Sequence, residues 1–81
     1  MTTGDWAIER KVQWGQFLFV RGGYETEAQA KASAYRYRKA TLGAYTWRVV
    51  CDNGPDAGRI LETRFFPGKR AVWTVVQEAH K

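Results

Sequence analysis

Residues 26–42 read TEAQAKASAYRYRKATL, and every local signal in this run is helical. Alanine, glutamate, glutamine, lysine and arginine fill it, all strong helix formers. Thr26 followed three residues later by Gln29 is a capping-box pattern, in which the two side chains satisfy backbone N–H groups that a helix start leaves open. Glu25 and Glu27 fall near the positive end of the helix dipole, and Arg36, Arg38 and Lys39 near its negative end. Gly43 then supplies a stop. At about 100° per residue the helix carries two apolar stripes. Ala30, Ala34 and Tyr37 form one, followed by Thr41. Ala28, Ala32, Tyr35 and Leu42 form the other, with Lys39 in its middle. The stripe without charge, Ala30–Ala34–Tyr37, is the one expected to pack on the rest of the protein.

Outward from the helix, the flanking segments read as strands. In residues 6–12, Trp6, Ile8 and Val12 alternate with Glu9 and Lys11, the period-two pattern of a half-buried strand; Arg10 breaks the apolar face. Gly15 marks a turn beside Trp14. Residues 16–21 carry FLFV at their centre, apolar on both faces, which predicts a central strand covered on each side. The short connection between these two segments predicts an antiparallel hairpin. After the helix, residues 45–51 alternate Tyr45, Trp47, Val49 and Cys51 with Thr46, Arg48 and Val50. The loop DNGPDAG (52–58) is dense in turn formers. Residues 59–66 and 71–77 follow as two more strands, joined at Pro67-Gly68 with Lys69 and Arg70 on the tip. The expected fold is α+β: a single domain, 1–81, with one helix packed on a mainly antiparallel sheet of about five strands in the order β-β-α-β-β-β.

The 81 residues hold four Trp, four Tyr and four Phe, and 13 Lys/Arg against eight Asp/Glu, a net charge of +5. A domain this small buries only about 60% of its unfolded surface, so some aromatics must be core while others remain for contact. The charge is spread along the chain with no run of like sign longer than two. A basic patch would therefore have to be assembled by folding. Cys51 is the only cysteine, which excludes an intramolecular disulfide and predicts a cytoplasmic location. No apolar stretch approaches a membrane span or the core of a signal peptide.

Little here points to catalysis. His80, the one histidine, lies beside the C-terminus, and one Cys with one distant His cannot make a structural zinc site. Cys51 alternates with Trp47 and Val49 and reads as core. Asp52 and Asp56 lack the ligand spacing of a calcium loop and read as turn residues. Gly22-Gly23 lacks the pattern of a phosphate-binding loop. The expectation is a non-enzymatic protein without metal or cofactor. With the Ala30–Ala34–Tyr37 stripe docked, the outer helix face presents Lys31, Tyr35, Arg36, Arg38 and Lys39, and Arg48, Lys69 and Arg70 are added from the sheet side. Two readings of that face stand: an ordinary solvated surface, or a contact surface in which a rigid aromatic sits among cations.

The junction Gly22-Gly23-Tyr24-Glu25-Thr26 followed by an Ala-rich helix resembles the strand-to-helix junction of AP2-type and integrase arm-binding domains. Those read DNA with the sheet preceding the helix, and they have three strands before it where two are expected here. Across the whole chain, the size, the β-β-α-β start and the lack of catalytic residues resemble small orphan proteins of phages and prophages, including some anti-CRISPR proteins. That resemblance implies an inhibitor or modulator docking on a host protein or ribonucleoprotein complex. Two alternatives remain. A direct nucleic-acid binder would use Lys31, Arg36, Arg38 and Lys39 on phosphates and Tyr35 or Trp14 on bases. A homodimer or structural component would pack Ala28, Ala32 and Tyr35 against a second copy.

Overall fold

A computed structural model of the protein describes residues 4–12, 15–40, 46–64 and 71–79, and for 38–40 the backbone alone. The helix, α1 (Glu27–Ala40), begins where the sequence predicts. Thr26 Oγ1 accepts the Gln29 N–H at 3.1 Å, and Gln29 Oε1 accepts the Glu25 N–H at 2.9 Å. The reciprocal pair is a capping box displaced by one residue on its return arm. Such a cap contributes about 1 kcal/mol. The stop at Gly43 and the stripe residues Thr41 and Leu42 lie outside the described residues.

Among the described residues, five strands form one antiparallel sheet: β1 (Gly4–Lys11), β2 (Phe17–Gly23), β3 (Thr46–Cys51), β4 (Ile60–Arg64) and β5 (Thr74–Gln77). Their spatial order is β2-β1-β3-β4-β5. The fold is α+β as the sequence implies, with two strands before the helix and three after. β1 pairs antiparallel with both β2 and β3, so β2 and β3 run parallel, and α1 carries the chain from one to the other across β1. The predicted turn at Pro67-Gly68 lies outside the described residues, as do Trp14, Tyr45 and His80.

The helix packs on β1 and β3. Ala30 and Ala34 are fully buried against Trp6, Ile8, Trp47, Val49, Cys51 and Leu61, with Tyr37 and Val20 at the margin. Two alanines let the helix backbone come close to the sheet, and the large side chains on the strands fill the space. Trp47, Ile8 and Val49 are the largest fully enclosed residues; each such side chain contributes roughly 1.5–3 kcal/mol on burial. The Tyr37 ring lies 6.1 Å from that of Trp47, tilted by 34°. Gly4 is required by a close approach: a Cβ there would stand 2.0 Å from the Tyr24 carbonyl oxygen. Tyr24 and Trp6 exchange backbone hydrogen bonds of 3.0 Å, which pins the helix entry to β1.

One expectation is overturned. The FLFV strand is not central: β2 is an edge, with Leu18 and Phe19 exposed. The centre is taken by β1 and β3, because the helix stripe covers the width of about two strands and those two carry the large core residues. The strand boundaries also move, β1 starting at Gly4 and β5 at Thr74.

Candidate docking surface

Of the predicted basic residues, Lys31, Arg36 and Arg48 have described side chains, and they do not share one face. Lys31 is engaged: its Nζ lies 2.7 Å from Glu27 Oε2 and 5.8 Å from the centre of the Trp73 ring. Glu27 also accepts from Arg59 Nε at 2.9 Å, and Arg59 reaches Glu78 at 3.0 Å. This chain of charges ties the first turn of α1 to the start of β4 and the end of β5, and its role is to hold the fold. Partial burial works to raise the Glu27 pKa, but the hydrogen bonds from Lys31 and Arg59 outweigh it and hold the carboxyl below its usual range.

Arg48 lies on the other side of the sheet. Its neighbours Trp47 and Val49 point to the helix and are buried, so alternation sends Arg48 to the open face. There it meets Glu62 Oε2 at 3.0 Å, and its guanidinium carbon lies 3.8 Å from the Phe17 ring centre. Tyr35 and Arg36 are exposed on α1. Lys69 and Arg70, and the side chains of Arg38 and Lys39, lie outside what is described. The sheet therefore separates Arg48 from the Lys31–Tyr35–Arg36 face.

A surface that sequence reasoning missed is the β2 edge. Leu18 is 53% and Phe19 67% exposed. Phe19 pairs with Glu9, which pairs with Arg48, so Phe19 stands on the open face of the sheet. Its ring edge lies over Gly22: a Cβ at Gly22 would stand 3.2 Å from the ring and 3.5 Å from the Ala7 methyl. Leu18 pairs with Arg10 and stands on the helix side. The backbone is equally available. The Val12 N–H donates to the Gln16 carbonyl at 2.8 Å, and hydrogen-bonded and non-bonded pairs alternate along an antiparallel ladder. Lys11–Phe17 and Glu9–Phe19 are therefore non-bonded pairs. The N–H and C=O groups of Phe17 and Phe19 point away from β1, toward the free edge. The signal in the sequence was the charge-free FLFV itself, read as a covered strand because apolarity marks faces and not edges.

Beside this edge, on the helix side, lies an open cleft of about 260 Å³ lined by Arg21, Ser33, Arg36 and Tyr37. Ser33 is buried and hydrogen-bonded to the Tyr24 hydroxyl. Interaction with the Tyr37 phenol first, then with that of Tyr24, raises the Arg21 pKa above the ordinary arginine value. The opposite edge, β5, is four residues long and also exposed, with Val75 and Val76 on it and Val72 before it.

Cys51 is buried in the core. Burial raises its pKa; a contact to the Asn53 carbonyl opposes this, while Asp5, Asp56 and Asp52 add to it, so the group is a thiol at neutral pH. Among the described residues no three His, Cys, Asp or Glu side chains converge as metal ligands, and no helix is long and apolar enough to cross a membrane. Comparison with protein-family models, curated proteins and solved structures returns no match.

Proposed function

We propose that this is a small non-enzymatic binding protein that works as an inhibitor or modulator by docking on another protein, alone or within a ribonucleoprotein complex, through the β2 edge. The observation carrying this reading is that Leu18 and Phe19 stand exposed beside outward-facing backbone groups on a strand whose run 17–20 is uncharged. Exposed edges are usually shortened or guarded by charge, because they offer a template for another chain. Here β2 spans seven residues with a single charge, Arg21, and keeps regular pairing over 17–19. An apolar edge left open in this way suits β-strand addition, where the main chain supplies hydrogen bonds and the side chains supply selectivity.

The disposition of the cations supports a protein target over nucleic acid. Phosphate binding draws on lysines and arginines free to neutralise a chain of charges. Lys31, Arg48 and Arg59 are each paired with a carboxylate, and Glu9 and Glu62 share the open face with Arg48. The test is a nuclease-treated capture from host lysate with three baits: the wild type, Phe19→Lys and Tyr35→Ala. A stoichiometric protein held by the wild type and Tyr35→Ala but released by Phe19→Lys is expected. A partner released by nuclease, or held equally by all three baits, refutes the reading.

A further inference from the structure

Which chemistry would fill the β2 edge follows from the two arginines beside it. Lys31, Arg48 and Arg59 have carboxylate partners, whereas Arg21 and Arg36 have none among the described residues; the groups around Arg21 are the phenols of Tyr37 and Tyr24. Arg21 comes from the end of β2 and Arg36 from the third turn of α1, and they meet across one cleft with Ser33 and Tyr37. Both guanidinium groups are exposed on this cleft, and a planar oxyanion seated in it would be met by bidentate donors from either side.

We propose that the β2 edge receives an extended acidic segment of a protein partner as a sixth strand, with one of its carboxylates held between Arg21 and Arg36. The proposal rests on the docking reading above and names the partner's chemistry. The incoming main chain pairs with the outward N–H and C=O groups of Phe17 and Phe19. Its apolar side chains lie on Leu18 and Phe19, and an Asp or Glu reaches the cleft. A second copy of this chain is a poor occupant: its own strand, FLFVRGG, contains no carboxylate and would bring another Arg21 toward the first. A nucleic-acid strand fits less well, because a phosphate in the cleft would set its neighbours along Leu18 and Phe19 rather than along further cations.

A displayed library of random peptides, selected on the folded protein, tests this. Enriched peptides should share an Asp or Glu at a fixed place in an alternating apolar run. Titrated by fluorescence anisotropy, the best of them should lose about ten- to a hundredfold in affinity on Arg21→Gln/Arg36→Gln, as charge-assisted hydrogen bonds imply. Replacing the peptide's acid by its amide should give a loss of the same order. Arg21→Lys/Arg36→Lys should restore part of the affinity, since charge returns without the planar fork. Both arginines are exposed, so these variants should fold, which their thermal melts would verify. Several results overturn the proposal: no enrichment, enriched peptides without an acid, equal binding by the Gln pair, a β2-dependent dimer in sedimentation, or stronger and salt-sensitive binding of a single-stranded oligonucleotide. If Phe19→Lys releases the lysate partner while the Gln pair keeps it, the docking reading stands and the carboxylate assignment fails.

Discussion

Phe19→Lys should separate binding from stability. A buried phenylalanine removes about 150–250 Å² from water. Phe19 is 67% exposed, so only a third of its surface is covered, part of it by Gly22. At about 25 cal/mol per Å² that coverage contributes roughly 1–2 kcal/mol, an upper bound because the unfolded chain already covers some apolar surface. The lysine methylenes can lie on the same surface and recover part of it. The net cost is then about 1 kcal/mol, a fall in Tm of about 4–8 °C for a domain of this size. Ile8→Ala, at a fully buried position on the adjacent strand, should cost about 2–5 kcal/mol. Urea unfolding followed by tryptophan fluorescence measures both. A cost for Phe19→Lys as large as that for Ile8→Ala would mean that the ring is core, and the argument for an open docking edge would fail. A cost near 1 kcal/mol with partner capture unchanged would leave the fold intact and remove the edge as the contact.

Other outcomes follow from the fold itself. Thr26→Ala removes the acceptor for the Gln29 N–H and should cost about 1 kcal/mol in a thermal melt, while Thr26→Ser should cost much less. Gly4→Ala forces a methyl against the Tyr24 carbonyl and should break the Trp6–Tyr24 pairing, read as faster amide exchange at both residues. Glu27 has a depressed pKa, so its contribution is fully present above the unfolded carboxyl value and disappears as pH falls through the folded one. In acid titrations of stability, Glu27→Gln should flatten the decline below the ordinary glutamate range. Cys51 should resist a thiol reagent at neutral pH in the native state and react fully in urea, because burial both blocks access and keeps it protonated.

The helix was legible in the sequence because its signals are local: a cap, a charge gradient and a 3.6-residue stripe that correctly chose Ala30, Ala34 and Tyr37. Alternation identified the strand residues facing the helix after it, Trp47, Val49 and Cys51, by the same logic. It could not say that β2 is an edge, since an apolar run describes two faces and is silent about which strand lies alongside. The cations show a related limit. Lys31 and Arg36 look alike in sequence, yet one is paired within its own helix and the other is not. The bond between Glu27 and Arg59 spans 32 residues, and no local pattern announces it. Arg48 was named for the contact surface, but its place between Trp47 and Val49 already assigns it to the face away from the helix.

The covering of the sheet explains why the β2 edge is the informative feature. One helix of 14 residues packs over β1 and β3, the strands with the large enclosed side chains. Nothing among the described residues lies outside β2 in the sheet order. Stability accounts for only part of a phenylalanine that is two-thirds exposed: a threonine or lysine there would hold the strand and guard the edge. Phe17 is partly accounted for by the Arg48 guanidinium above it, and Phe19 by its ring edge against Gly22, while Leu18, on the opposite side across from Arg10, stays 53% exposed. Apolar side chains on both sides of one open edge, next to two arginines without a carboxylate partner among the described residues, are what a strand-shaped acidic partner would require together.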